Sequence, residues 1–325
     1  MKVLVTGGAG FIGSHITDAL CMSNEDVTVI DNFTTGSLDN LAKIKSKIRI
    51  IEGDIRDEKL INDLVSKADL VFHMAAALGV DNILNSTLDS ISVNITGSDV
   101  VLKAAAEYDK RIIIASTSEI YGKNQNQPLS ETDDRVIGSP QKIRWSYSDS
   151  KAIEEATATV LYQTKGLRVT TVRLFNTVGP RQSGQYGMVL PRFVQNALIN
   201  KPLSIYGDGK QTRVFCHISD VVEGLLKIAK TDTSIGEVYN LGGVGETSIS
   251  ELAYRVIQIT NSTSKIEYVP YDEAYPFGFE DMQRRVPDIT KLKSTIDWEP
   301  KKDLNQIIED IMIFFNNKSI NFSPN

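Results

Sequence analysis

In the stretch SYSDSK, Tyr147 precedes Lys151 by four residues, a spacing that sets both side chains on one face of a helix, one turn apart. A lysine cation close to a phenol lowers its pKa from about 10, which would make Tyr147 a base at neutral pH. The same pair also arises by chance on solvated helix faces. Upstream, IIIASTSEIYG ends a β-branched run with Ser116, Thr117, Ser118 and Glu119. Thr117 could hydrogen-bond a hydroxyl undergoing oxidation, and Glu119 could act as a second acid or base or orient a water. Ser116 and Ser118 suit backbone groups at a strand end equally well.

A second signal sits near the N-terminus. VTGGAGFIGSH places Gly7, Gly10 and Gly13 at three-residue intervals between a strand and an amphipathic helix. Glycines there let the backbone turn tightly and approach a pyrophosphate held against the helix N-terminus. Such triplets also make ordinary turns, but the next strand, VTVID, ends in Asp31, eighteen residues past Gly13, about where an acid meets the adenosine ribose. DNFTTGS carries no basic residue for a 2′-phosphate, so NAD is expected rather than NADP. Its positive nicotinamide would add to the effect of Lys151 on Tyr147. GDIRD offers Asp54 and Ile55 beside the adenine, or a solvated turn acid.

The elements that must position these groups recur along the chain. KVLV, VTVI, IRII, LVFHM, RIIIAS and VTTVRLF alternate with stretches of helical length through the first 175 residues, which predicts a doubly wound parallel sheet with ligands at the strands' carboxyl ends. After RLFNTVGP the loops lengthen and Gly and Pro become frequent. A dinucleotide-binding lobe over 1–175 is therefore expected, with 214–243 returning to it through the helix HISDVVEGLLKIAK. A smaller α/β lobe for the substrate would take 176–213 and 244–325.

Composition excludes several classes. The 325 residues are 41% hydrophobic, enough for a substantial core, and 35 Lys and Arg against 41 Asp and Glu leave a net charge of −6. General attraction to nucleic acid or anionic membrane is not expected, so an anionic ligand needs a local cationic cluster. Two cysteines, Cys21 and Cys216, and three scattered histidines form no disulfide framework or metal spacing. His73 and His217 read as packing or capping residues. No signal peptide or spanning segment is read, so a soluble, cytoplasmic protein is expected.

TGGAGFIG, Asp31, STSEIYG, SYSDSK, RLFNTVGPR, YGDGKQTR and RRVPD together resemble, in order and approximate spacing, the extended short-chain dehydrogenase/reductases that act on nucleotide sugars. The resemblance covers nearly the whole chain. It implies that Thr117, Tyr147 and Lys151 are catalytic, with Glu119 beside them. It implies an NAD site of Gly7, Gly10, Phe11, Ile12, Gly13, Asp31, Asn32, Asp54, Ile55, Asn94, Tyr147 and Lys151. It also implies a UDP-sugar site: Asn176 on the diphosphate side, Val189 and Phe193 near the base, Arg213 and Arg285 on the phosphates. Arg181, Arg192 and Arg284 read as surface or structural. A homodimer through the helices following residues 89 and 147 is the family's habit.

Members share oxidation of a sugar hydroxyl, commonly at C-4, and diverge afterwards. Dehydratases resemble TDE where this chain has TSE, so dehydration is disfavoured at Ser118. TSE and RWSYSDSK resemble UDP-glucuronate decarboxylases, and Arg285 matches a position they use. Those enzymes also carry a Pro-x-x-Tyr element where AAALGVDNI puts Ile83, and an unbridged Glu119 would repel a substrate carboxylate. The expectation is therefore a UDP-sugar 4-epimerase first and a UDP-glucuronate decarboxylase second. A protein that binds NAD without turnover is the reading from another class.

Overall fold

The structure, a computed structural model, describes residues 1–77, 86–184, 188–274 and 282–320. Seven strands form one sheet: β1 (Lys2–Thr6), β2 (Asp26–Asp31), β3 (Arg49–Glu52), β4 (Leu70–His73), β5 (Arg111–Thr117), β6 (Val169–Leu174) and β7 (Val238–Leu241). Their order is β7-β6-β5-β4-β1-β2-β3 and every pairing is parallel. The doubly wound sheet read from the sequence is thus present. Strand order reverses beside β1, which opens a crevice at the carboxyl ends of β1 and β4.

Alternation along each strand feeds two cores. Val3, Val5, Phe72, Ile113 and Val172 pack against helices α1 (Phe11–Met22) and, later in the chain, Ile218–Ala229. Leu4, Val71, Ile112 and Ile114 point the other way, onto α2 (Glu58–Ser66), α3 (Ser98–Glu107) and α4 (Ser146–Lys165). Both faces are covered, which is why these strands read as nearly continuous apolar runs. Burying each such Val, Ile, Leu or Phe stabilises the fold by about 1.5–3 kcal/mol.

The chain leaves the sheet after β6 and comes back to it. Ile218–Ala229 is α6, the helix expected from HISDVVEGLLKIAK, and β7 then pairs with β6. Arg111 fastens this return from inside: its guanidinium donates to Arg168 O at 2.8 Å, Thr170 Oγ1 at 2.7 Å and Ser234 Oγ at 2.8 Å.

A third core is built from α5 (Val189–Leu198), α7 (Ile249–Thr260) and α8 (Leu304–Ile320) over the parallel pair Leu203–Tyr206 and Ile266–Val269. Beside it, Thr212–Arg213 pairs in parallel with Arg284–Arg285 and antiparallel with Thr247–Ser248. Arg213 and Arg285 are register partners, and neighbours in register project to the same face. Residues far apart in sequence thereby become one cationic pair. Among the described residues no helix is long and apolar enough to cross a membrane, and no group of three His, Cys, Asp or Glu could hold a metal.

Candidate active site

The turn between β1 and α1 takes its form from its glycines. Gly7 has φ +65°, and a Cβ there would lie 2.8 Å from the backbone of Ala75. A Cβ at Gly13 would collide with the carbonyl of Gly7, so the helix can start this close to the strand only without one. Gly10 caps α1 with no side-chain hydrogen bond, and no acid occupies the first turn. The helix therefore offers unclaimed N–H groups and its positive end to an anion.

Gly7, Gly10, Phe11, Ile12, Gly13, Asp31, Asn32 and Ile55 line one cleft of about 530 Å³. Asp31 accepts the Ala9 N–H at 2.9 Å on Oδ2 and the Phe33 N–H at 2.8 Å on Oδ1. A carboxylate has about four acceptor positions, so lone pairs remain for two ribose hydroxyls. Glycine cradle, bare helix end and buried acid fit a dinucleotide.

Two expected members of this set are tied to neighbouring groups. Asp54 turns its carboxylate to Arg56, which donates Nε at 2.9 Å and Nη2 at 2.6 Å; the ion pair captures a group expected beside the adenine. Asn94 is buried and ties the exit of β4, accepting the Ala77 N–H at 2.8 Å and donating to Ala77 O at 2.9 Å.

Across the crevice, β5 delivers Ser116, Thr117, Ser118 and Glu119 to the cleft wall, and the first turn of α4 delivers Tyr147. Thr117 Oγ1 accepts the Glu119 N–H at 3.2 Å, and Ser148 Oγ donates to Glu119 O at 2.8 Å, so the two elements are locked together. Ser116 faces inward and donates to Glu155 at 2.5 Å. Lys151 is buried one turn below Tyr147, with Nζ donating to Glu154 Oε2 at 2.6 Å. In the cofactor-free protein the Tyr147 phenol is pushed up, not down, by burial and then by Glu119 and Glu154, with Arg144 opposing.

Glu119 is the centre of a charge cluster. Arg144, three residues before Tyr147, forms an ion pair with its Oε2, and Arg285 Nη1 stands 3.5 Å from Oε1. Arg285 also donates to Ser118 Oγ at 3.4 Å and to Asn176 Oδ1 at 3.1 Å. Burial alone would raise the Glu119 carboxyl, but Arg144, Arg285 and Arg213 hold it down to about 2. Sequence reasoning missed Arg144 as a site residue, although RW directly ahead of SYSDSK was its signal.

From the segments after β6, Asn176, Val189, Arg213 and Arg285 line the same cleft. Phe193 does not reach it. It is fully buried in the third core with Leu190, Val194 and Ala197, because α5 turns that stripe inward. Arg192, on the cleft side of α5, stacks over Tyr206 at 4.4 Å and donates to Ser204 O at 3.0 Å. Arg181 also lines the cleft, paired with Asp18 and donating to Ser14 Oγ at 3.1 Å. Arg284 pairs with Glu246 at 2.7 Å on the outer surface. His217 caps α6, accepting the Ser219 N–H at 3.1 Å. Ile83 lies outside the described residues.

Residues 4–311 match a family model described as GDP-mannose 4,6 dehydratase. The chain is 43% identical over 316 residues to the UDP-N-acetyl-alpha-D-glucosaminuronate decarboxylase of Bacillus cytotoxicus, covering 97% of each. It is 33% identical to UDP-glucuronic acid decarboxylase 1 of Arabidopsis thaliana, over 99% of this chain and 71% of that one. The crystal structure of UDP-glucuronic acid 4-epimerase from Bacillus cereus, in complex with UDP-glucuronic acid and NAD, superposes with a TM-score of 0.88 at 27% identity, covering 98% of this chain and 100% of that one.

Proposed function

We propose, from the premise that this chain belongs to the NAD-dependent epimerase/dehydratase family of extended short-chain dehydrogenase/reductases acting on nucleotide sugars, that it decarboxylates a UDP-hexuronate. The observation that carries the reading is the arginine set around Glu119, beside Tyr147. Three guanidinium groups, Arg144, Arg213 and Arg285, act on one carboxylate there, which leaves surplus positive charge at the place where the sugar is worked on. The diphosphate common to all UDP-sugars can draw on Arg213, and the positive charge left beside Glu119 and Tyr147 suits a uronate carboxylate. The repulsion expected from an unbridged Glu119 is removed because Arg144 and Arg285 bridge it.

The glycine turn, the bare end of α1 and Asp31 would hold NAD, which when bound would supply a hydride acceptor and donor for the sugar C-4. Tyr147 removes the C-4 hydroxyl proton, and Thr117 Oγ orients that hydroxyl. In the resulting 4-keto uronate the electron pair of the C-5 to C-6 bond moves toward the ketone, carbon dioxide leaves, and a proton adds at C-5. Tyr147 then returns its proton to O-4. One proton is consumed per turnover and NAD is not. Because the lost carboxylate gives up its charge, holding it too tightly would raise the barrier. Glu119 shares the arginines and so limits that hold.

The N-acetylated glucosaminuronate is the first choice of substrate on the strength of the Bacillus cytotoxicus relative, and UDP-glucuronate the second. Both similarities favour decarboxylation over the 4-epimerisation expected first. The test supplies each uronate and neutral UDP-N-acetylglucosamine with substoichiometric NAD and follows product mass. Loss of carbon dioxide from the uronates, faster with the acetamido sugar, is the expected result. Turnover confined to the neutral sugar, at unchanged mass, would refute the reading.

Replacing Asp31 by alanine should raise the NAD dissociation constant about 10- to 100-fold, since hydrogen bonds to a charged acceptor contribute about 1.5–3 kcal/mol. UDP affinity should change less than about twofold, the uridine pocket being in the other lobe. Calorimetry with each ligand checks this, and equal losses would remove Asp31 from the ribose.

A further inference from the structure

Arg144 and Arg285 both meet Glu119, but they hold it in different ways. Arg144 belongs to the single turn Ile143–Trp145 that leads directly into α4, three residues ahead of Tyr147. Its side chain is 6% exposed and lies over the ring of the fully buried Trp145 at 5.5 Å, and its Nη1 donates to Glu119 Oε2. Ser148 Oγ, from the first turn of α4, donates to Glu119 O at 2.8 Å, so backbone and carboxylate of Glu119 are both fastened to the same short stretch of chain. Arg285 approaches from the other side of the cleft, on the strand Arg284–Arg285. Its contacts are 3.5 Å to Glu119 Oε1, 3.4 Å to Ser118 Oγ and 3.1 Å to Asn176 Oδ1, at or beyond the long end of ordinary N–H···O hydrogen bonds. One oxygen of Glu119 is thus gripped from its own wall and the other is touched loosely from across the cleft.

We infer that Arg144 is a positioning residue: it anchors Glu119 as an anion in the wall formed by β5 and α4, so that Arg285 can exchange from Glu119 to the carboxylate of the incoming sugar. The inference rests on the reading of that sugar as a uronate. Without Arg144, Arg285 would be the guanidinium left in contact with a carboxylate shielded from water. It would close onto Glu119 as a two-pronged pair and be lost to the ligand. Glu119 and the uronate would then compete for one cation, where two arginines now serve two carboxylates. Arg213 adds its charge to the cluster while its Nη1 donates to Thr212 O at 2.8 Å. Asp149, the first acid of α4, pairs with Arg135 at 2.7 Å and stays out of the contest.

The test measures binding with NADH in place of NAD, because the reduced cofactor cannot accept a hydride and no turnover follows. Calorimetry compares UDP-N-acetylglucosaminuronate with neutral UDP-N-acetylglucosamine. Arg144→Gln should weaken the uronate at least about thirtyfold, the lower end for truncating a buried, hydrogen-bonded charge pair, and the neutral sugar less than about threefold. Arg144→Lys, which keeps a cation, should recover part of the loss. Adding Glu119→Gln to Arg144→Gln removes the competing carboxylate, so uronate affinity should return to within about threefold of wild type. A merely structural role for Arg144 would not be cured by neutralising its partner. Neither Arg144→Lys nor the double variant leaves Glu119 charged and short of a counter-ion, so both serve if Arg144→Gln does not fold. Equal losses for the two sugars would overturn the inference. So would a loss that persists in the double variant, which would put Arg144 on the ligand itself. A wild-type protein that binds the neutral sugar and not the uronate would instead refute the uronate reading. The anchor is then read without ligand, from the carbon-13 signal of the Glu119 carboxyl, assigned by its loss in Glu119→Gln. That carboxyl should titrate at higher pH in Arg144→Gln than in Arg285→Gln, and the reverse order would overturn the anchoring role.

Discussion

Tyr147→Phe should retain the fold and bind NAD within a few-fold of wild type, yet turn over its UDP-sugar at least about a thousandfold more slowly. Positioned proton transfer contributes about 10²–10⁴ to a rate, and neither Thr117 nor Glu119 beside it can replace this one. Thr117 has no usable proton affinity near neutrality, and Glu119 is held ionised at about 2 by its arginines, too weak a base for a sugar hydroxyl. Phenylalanine keeps the ring of a half-buried residue in the first turn of α4, so the loss should appear in kcat and not in the melting temperature. Single-turnover appearance of the reduced cofactor's absorbance, with calorimetry for NAD, separates the two. A variant within tenfold of wild type would take proton transfer away from Tyr147.

Arg285→Gln is expected to lower kcat/KM for the uronate by a factor of about 30 to several thousand. Truncating one partner of a buried, hydrogen-bonded charge pair costs about 2–5 kcal/mol, partly because the opposite charge is left short of compensation. Here one guanidinium touches Glu119, Ser118 and Asn176, so its loss unfastens the β5 exit from the second lobe as well as removing a cation. Affinity for UDP alone should fall far less than kcat/KM for the uronate, since Arg213 and the Arg192–Tyr206 stack remain. Steady-state kinetics and UDP calorimetry give both numbers. Parallel losses would assign Arg285 to the diphosphate only.

Much of the fold is legible in the sequence. Strands buried on both faces spell apolar runs, and a glycine turn followed by an acid at the next strand end has few other uses, so the sheet and the dinucleotide crevice could be inferred from KVLVTGGAGFIG and VTVID. The convergence of Arg144, Arg213 and Arg285 was not readable, because it depends on the register of two short strands and on how β5 meets α4. The ion pair of Lys151 was hidden for a related reason. Helix spacing pairs it with Tyr147 and with Glu154 alike, and only burial decides which it touches. Phe193 fell to the phase of α5, where a shift of one residue moves a side chain from cleft to core. The preference for epimerisation leaned on Ile83 and on an isolated Glu119; the glutamate is not isolated, and the relatives favour loss of carbon dioxide.

The central claim is that the C-6 carboxylate of a UDP-hexuronate leaves as carbon dioxide. It is tested most directly with UDP-N-acetylglucosaminuronate carrying a carbon-13 label at C-6, catalytic NAD and purified protein, followed by NMR. The account predicts that the label leaves as carbonate in step with a UDP-linked acetamido pentose, without net reduction of NAD. Label retained in the sugar, with the C-4 coupling inverted, would contradict it and make the protein an epimerase.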